Sequence, residues 1–157
     1  MVARTSAGLL PYRVRDGRLE VLIAHMGGPM WERREEGAWS LIKGEHDEHE
    51  EPLAAARREF EEETGVAAPG GPALALGEVR QSGGKRVTAW AVEAELDPAR
   101  LRSNLFELEW PPRSGRMRQF PEVDRFEWCE PQLARTRLVK AQVELLDRLE
   151  RLLGAHG

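Results

Sequence analysis

Four glutamates crowd the end of one short segment, Arg57-Arg-Glu-Phe-Glu-Glu-Glu-Thr-Gly65. On a helix, Glu59, Glu62 and Glu63 have i, i+3, i+4 spacing, which fans their carboxylates over one side. Like charges at that spacing repel, and they lie near the negative end of the helix macrodipole. Each effect costs a few tenths of a kcal/mol up to about one. The arrangement is unfavourable unless a cation sits on it. A hard divalent ion, Mg²⁺ or Mn²⁺, is the natural partner, because it prefers carboxylate and water oxygens and is commonly completed by substrate phosphates. The competing explanation is an ordinary solvated acidic face, with Arg58 pairing to Glu62 four residues on for ~0.3–0.5 kcal/mol.

The surrounding residues favour the metal. From Gly44 the chain resembles the Nudix box, G-x(5)-E-x(7)-R-E-U-x-E-E-x-G-U, where U is a bulky apolar residue. Gly44 opens it and Glu50 is the first glutamate; Arg58 and Glu59 form the R-E pair, followed by Phe60. Glu62 and Glu63 form the E-E pair, and Gly65 and Val66 close the pattern. The match covers 23 residues, with all nine constrained positions filled. The resemblance implies a pyrophosphohydrolase in which Glu59, Glu62 and Glu63 ligate Mg²⁺ or Mn²⁺ and Glu50 assists directly or through water. It implies that Arg58 orients a glutamate rather than touching substrate, and that a metal-activated water attacks phosphorus. Lys43 before the box matches a common Pro-Lys-Gly lead-in, but Ile42 stands where proline is usual.

Outside the box, Glu122 to Trp128 is similar to the family's late E-x(5)-W segment, which makes Glu122 the candidate base or additional ligand. Glu107 and Glu109 are weaker candidates, since strand alternation places both on one face. Arg113, Arg116 and Arg118 lie in the loop Trp110-Pro-Pro-Arg-Ser-Gly-Arg-Met-Arg118, and guanidinium groups suit multidentate phosphate contact. With Lys43 and Lys85 they are candidates for a polyphosphate-facing patch; a solvated basic loop is the alternative. Trp39, with Trp31 and Trp110, is a candidate stacking surface, although tryptophans more often pack in cores. His46 and His49 lack the third soft ligand of a zinc site. Cys129, in an apolar run, reads as buried and inert. Dinucleoside-polyphosphate subfamilies often carry a tyrosine past the box, and ADP-ribose subfamilies a proline. Gln81-Ser-Gly-Gly84 has neither, so only a substrate class follows: a nucleoside di- or triphosphate or a dinucleoside polyphosphate.

The elements that must position these groups are readable. Strands are expected at Ala7–Val14 and Leu19–Ala24 around the Asp16-Gly17 turn. A polar loop, Trp31 to Gly37, leads to the apolar patch Trp39-Ser-Leu-Ile42. The helix Leu53–Thr64 follows Pro52 at its first position and is closed by Gly65, with Leu53, Ala56 and Phe60 on one face. Strands are expected at Ala73–Arg80 and Val87–Leu96, joined by Ser82-Gly-Gly-Lys85. Short strands at Asn104–Trp110 and Phe126–Cys129 flank a loop, Pro111 to Val123. A long helix is expected over Gln132–Leu153, with Leu138, Leu145, Leu146, Leu149, Leu152 and Leu153 as its apolar side. The pattern is α/β (α+β), and the resemblance implies an α/β/α sandwich with a central mixed sheet.

At 157 residues, one domain spanning residues 1–157 is expected. A net charge of −4 provides no global basic field for nucleic acid, so strong nucleic-acid binding is not expected. The single cysteine excludes an intrachain disulfide and suits a reducing cytoplasm. No apolar run approaches a membrane span, and Val2–Ser6 lacks the apolar region of a signal peptide. A homodimer is left open. Two rival functions are a nucleotide-binding or sensor module without turnover and an RNA 5′-end processing hydrolase; the acidic balance disfavours the second.

Overall fold

A computed structural model describes residues 5–154, so the polar stretch Val2–Ser6 begins outside the described residues. Strands β1 (Thr5–Arg15) and β2 (Arg18–Met26) form the first hairpin. Asp16 and Gly17 at its turn have φ of 51° and 76°, the left-handed pair that a type I′ turn requires.

Beyond the turn the two strands part company. β1 pairs β2 only through Tyr12 to Arg15, and its earlier residues Ser6 to Leu9 pair β4 (Ile42–Glu45). β2 in turn pairs β3 (Trp39–Ser40) through Ala24 and His25. The stretch from Trp39 to Glu45 is therefore wedged between diverging strands, and it carries Lys43 and Gly44 into the split. Parallel pairing of β1 with β6 (Arg86–Glu93), antiparallel pairing of β6 with β5 (Ala73–Arg80), and pairing of β9 (Val123–Cys129) on β2 complete a mixed seven-stranded sheet.

Helices cover both faces, which is why β1 is buried without interruption from Ser6 to Tyr12. On one face α1 (Pro52–Thr64) packs Ala55, Ala56 and Phe60 against Leu9, Leu22 and Ile42. On the other, α3 (Val143–Gly154) packs Leu145, Leu146 and Leu149 against Leu10, Ile23 and Leu76. Alternate residues of each strand serve opposite cores. The expected sandwich is present.

Two expectations are corrected. The long helix over Gln132–Leu153 is instead α2 (Pro131–Arg137), an extended Leu138, a short 3₁₀ turn (Lys140–Gln142) and α3. The β3 edge explains the break: Val139 donates its backbone N–H to the Trp39 carbonyl at 2.9 Å, which a continuous helix could not do. Leu152, expected on the apolar side, is exposed. The presumed loop Pro111 to Val123 contains β8 (Met117–Pro121), which forms a separate hairpin with β7 (Leu105–Glu109). Met117-Arg-Gln-Phe-Pro121 lacks polar–apolar alternation, since Arg118 shares a face with Phe120, and this conceals a largely exposed strand.

Helix α1 begins and ends as its sequence suggests. Glu51 accepts hydrogen bonds from the N–H groups of Leu53 and Ala54, Pro52 follows, and Gly65 closes the helix at φ 76°. A Cβ at Gly65 would be strained by that φ and would lie 3.3 Å from the Arg102 carbonyl. Gly65→Ala is expected to cost about 1 kcal/mol and lower Tm by about 2–4 °C in thermal unfolding.

Candidate active site

Helix α1 lies across the end of β4, and Gly44 is the contact point. A Cβ there would fall 1.8 Å from Glu59 Oε2, so only glycine lets the Glu59 carboxylate settle against the strand. Glu59 is thereby nearly buried, and burial raises its pKa despite its bond to Arg58.

Arg58 holds three glutamates at once. Its Nε and Nη2 bind both oxygens of Glu50 at 2.7 and 2.8 Å, and its Nη1 reaches Glu59 at 2.9 Å and Glu62 at 3.1 Å. The guanidinium offsets part of the negative charge of this cluster, and its bond to Glu50 lowers the pKa of that carboxyl. The bonds to the three glutamates raise the pKa of Arg58 in return, the one to Glu50 most.

Glu63 projects from the same helix toward Glu122. Burial, followed by the proximity of Glu122 and the charges of Glu59 and Glu62, raises the pKa of Glu63 to about 8. Glu122 arrives from the junction of β8 and β9, with its backbone pinned on both sides. Its N–H donates to the Asn104 carbonyl at 2.9 Å, and its carbonyl accepts from the Gly27 N–H at 2.8 Å. Gly27 permits this approach, since a Cβ there would lie 1.9 Å from the Pro121 carbonyl oxygen.

Lys43 faces the same acids from β4. Desolvation, then the charge of Lys85, lowers its pKa to about 8. Lys85 reaches Glu45 at 3.5 Å. Together Glu59, Glu62, Glu63, Glu122, Lys43 and Lys85 line one open cavity of about 450 Å³.

A second, narrower cavity of about 150 Å³ joins the first at Lys43, Glu63 and Glu122. It has Ala24 and Met26 of β2 and Leu41 and Ile42 in its walls, with Gln81 and Gln142 at its polar side. None of the motifs in the sequence pointed to Gln81, Gln142, Ser40 or Met26 as site residues. Gln142 is a buried amide at an apolar helical spacing, and that mismatch was the available signal.

Three candidate substrate contacts are not brought to either cavity. Trp39, in β3 beside β2, is fully buried, edge-on to the His25 ring, with the Arg137 guanidinium 4.6 Å from its centroid. It is a core residue and has no face for a ligand. Arg113 and Arg116 stand at the exposed tip of the β7–β8 hairpin and line neither cavity. Of the other stacking candidates, Trp31 packs against the core. Glu107 and Glu109 share one exposed face. Burial raises the Cys129 thiol pKa to about 11, so it is unreactive.

The sequence of the chain matches the NUDIX domain family model over residues 3–149. The chain belongs to the Nudix family. It is a hydrolase acting on pyrophosphate bonds.

Solved structures share the fold. A C. elegans Ap4A hydrolase in a binary complex superposes with a TM-score of 0.67 at 21% identity, covering 98% of this chain and 99% of that one. The NUDIX domain of Shewanella oneidensis NrtR complexed with ADP ribose gives 0.65 at 16% identity, covering 98% and 90%. A mutT/nudix family protein from Listeria innocua gives 0.64 at 17% identity, covering 99% and 98%. No curated protein matches the chain. No helix among the described residues is long and apolar enough to cross a membrane.

Proposed function

We propose that the protein hydrolyses the diphosphate linkage of a nucleoside polyphosphate or dinucleoside polyphosphate in a reaction dependent on Mg²⁺ or Mn²⁺. The observation that carries this reading is the convergence of Glu59, Glu62, Glu63 and Glu122 on one open cavity beside Lys43. Among the described residues no three acidic, histidine or cysteine groups already converge as a finished metal cage. The donor set nevertheless fits a hard cation: all four are carboxylates, and two are buried enough that negative charge there is costly without one. Glu62 is exposed and bound to Arg58, so it turns toward the cavity at the cost of a surface ion pair alone.

In this reading Glu59, Glu62 and Glu63 hold the ion, and Arg58 keeps Glu50 and Glu59 in place. Such an ion, when bound, would supply Lewis acidity and lower the pKa of a water nucleophile. Glu122, its backbone fixed by two hydrogen bonds, would accept a proton from the attacking water. Lys43 offsets negative charge gathering on the phosphate oxygens. The substrate is a small phosphoanhydride, and the lone buried Cys129 suits a cytoplasmic setting.

A panel of nucleotides with Mg²⁺, Mn²⁺ or chelator tests the reading. Metal-dependent release of phosphate or pyrophosphate supports it; binding without turnover of any compound overturns it.

A pH dependence follows from Glu63. Its carboxyl takes up a proton on folding at pH values above its ordinary 4.5, because the native pKa is higher. Between those two pKa values the native state binds more protons, so metal-free stability falls as pH rises. A metal must displace that proton, so its affinity rises with pH over the same window. Thermal shifts at pH 6 and pH 8 are expected to show a larger Mg²⁺ or Mn²⁺ stabilisation at pH 8. An equal shift at both would contradict the assignment of Glu63.

A further inference from the structure

We infer that the narrow cavity beside the glutamates is a specificity pocket for a single six-membered ring. Gln81 reads a carbonyl or ring-nitrogen acceptor on it, which makes pyrimidine nucleotides the preferred substrates. This rests on the nucleotide reading proposed above and narrows it.

Size is the first observation. The half-open space of about 150 Å³ is the size a benzene-sized ring needs, and the walls include Ala24, Leu41 and Ile42. A purine exceeds that volume by a fused five-membered ring. The cavity also opens onto the catalytic one at Lys43, Glu63 and Glu122, so a ring placed in it would direct its phosphates at the carboxylates.

Polarity is the second, and the hydrogen bonds fix it without ambiguity. The Leu41 backbone N–H donates to Gln142 Oε1 at 2.9 Å, so the other end of this buried amide must be its nitrogen. Gln142 Nε2 then donates to Ser40 Oγ at 3.0 Å and to Gln81 at 2.9 Å. Ser40 Oγ passes its own proton to the Leu41 carbonyl at 2.7 Å. Gln81 must therefore present Oε1 to Gln142, which leaves its Nε2, with two protons, as the free end. No partner holds that nitrogen among the described residues.

The backbone holds Gln81 firmly. Its N–H donates to the Lys85 carbonyl at 2.7 Å, and its carbonyl accepts from the Gly84 N–H at 3.1 Å. The same tight turn carries Lys85 into the catalytic cavity, so base recognition and phosphate contact come from one rigid segment. Uracil, thymine and cytosine all carry a 2-carbonyl acceptor, and an amide N–H aimed at such a group penalises a ring that leaves it unpaired.

The test compares UTP, CTP, ATP and GTP with Mg²⁺, using calorimetry for Kd and phosphate release for kcat/KM. Pyrimidine nucleotides are expected to be favoured at least tenfold in both. Gln81→Glu keeps an acceptor toward Gln142 and removes only the outward donors, so the pyrimidine-to-purine ratio is expected to fall severalfold, leaving the part that cavity size imposes. A ratio uses the purine as reference and cancels any effect of the added charge on phosphate binding. Equal affinity for both classes, a ratio unchanged in the variant, or no binding of either would overturn the pocket assignment. Selective binding of pyrimidines without hydrolysis would uphold the pocket and overturn the proposed reaction instead.

Discussion

Glu63→Gln is expected to lower kcat by about a thousandfold or more while the enzyme keeps its fold. That loss corresponds to about 4 kcal/mol of transition-state stabilisation, the scale on which a catalytic metal acts. The amide has the shape of the acid it replaces but offers a weaker oxygen and no charge. It also relieves the cost of burying a carboxylate beside Glu122, Glu59 and Glu62. The metal-free variant at pH 8 is therefore expected to melt no lower than the wild type, and to lose most of the stabilisation that added metal gives. Glu62→Gln is expected to impair turnover comparably, with a smaller effect on metal-free stability because Glu62 is exposed. Steady-state kinetics and thermal unfolding with and without Mg²⁺ check both. Near-normal turnover in the two variants would place the metal elsewhere.

Gly44→Ala is expected to separate site from fold more sharply still. The new Cβ would overlap the Glu59 carboxylate, with contacts of 1.8 Å to Oε2 and 2.1 Å to Cδ. Those atoms are the far end of a flexible side chain, so the backbone need not yield. Glu59 instead swings away, disturbing its bond to Arg58 at 2.9 Å and displacing a carboxylate proposed to hold the metal. We expect a loss of about a hundredfold in kcat/KM, or roughly 2.7 kcal/mol, with Tm changed by no more than a few degrees. Activity within threefold of wild type would show that Glu59 works from another rotamer, or not at all.

The parts of the molecule with local signals were legible in the sequence. Helix α1 announced itself through Pro52, the Leu53/Ala56/Phe60 stripe and Gly65, and the glutamates through their spacing alone. The β1–β2 turn was visible in Asp16-Gly17. What was hidden depends on distant partners. The break at Leu138 arises because the Trp39 carbonyl needs a donor, a demand from a strand far away in sequence. Trp39 looked like a ligand platform because a side chain's face is not readable until the sheet above it is known. Arg113 and Arg116 looked like phosphate contacts because guanidinium chemistry is apparent in a sequence and distance is not. Gln81 and Gln142 meet across 61 residues, so their pairing had no local mark.

The role of Arg58 also changed in emphasis. Its sequence position suggested a pair with one glutamate, whereas its guanidinium binds Glu50, Glu59 and Glu62 together. Arg58 thus offsets part of the charge of the acidic cluster and ties its members together.

Mn²⁺ titration followed by electron paramagnetic resonance tests the central assignment most directly, because it counts bound ions without requiring a substrate. The wild-type protein is expected to bind Mn²⁺, and the Glu62→Gln/Glu63→Gln double variant to weaken that binding at least a hundredfold while remaining folded. Unchanged binding in a folded double variant would contradict a metal site on these glutamates.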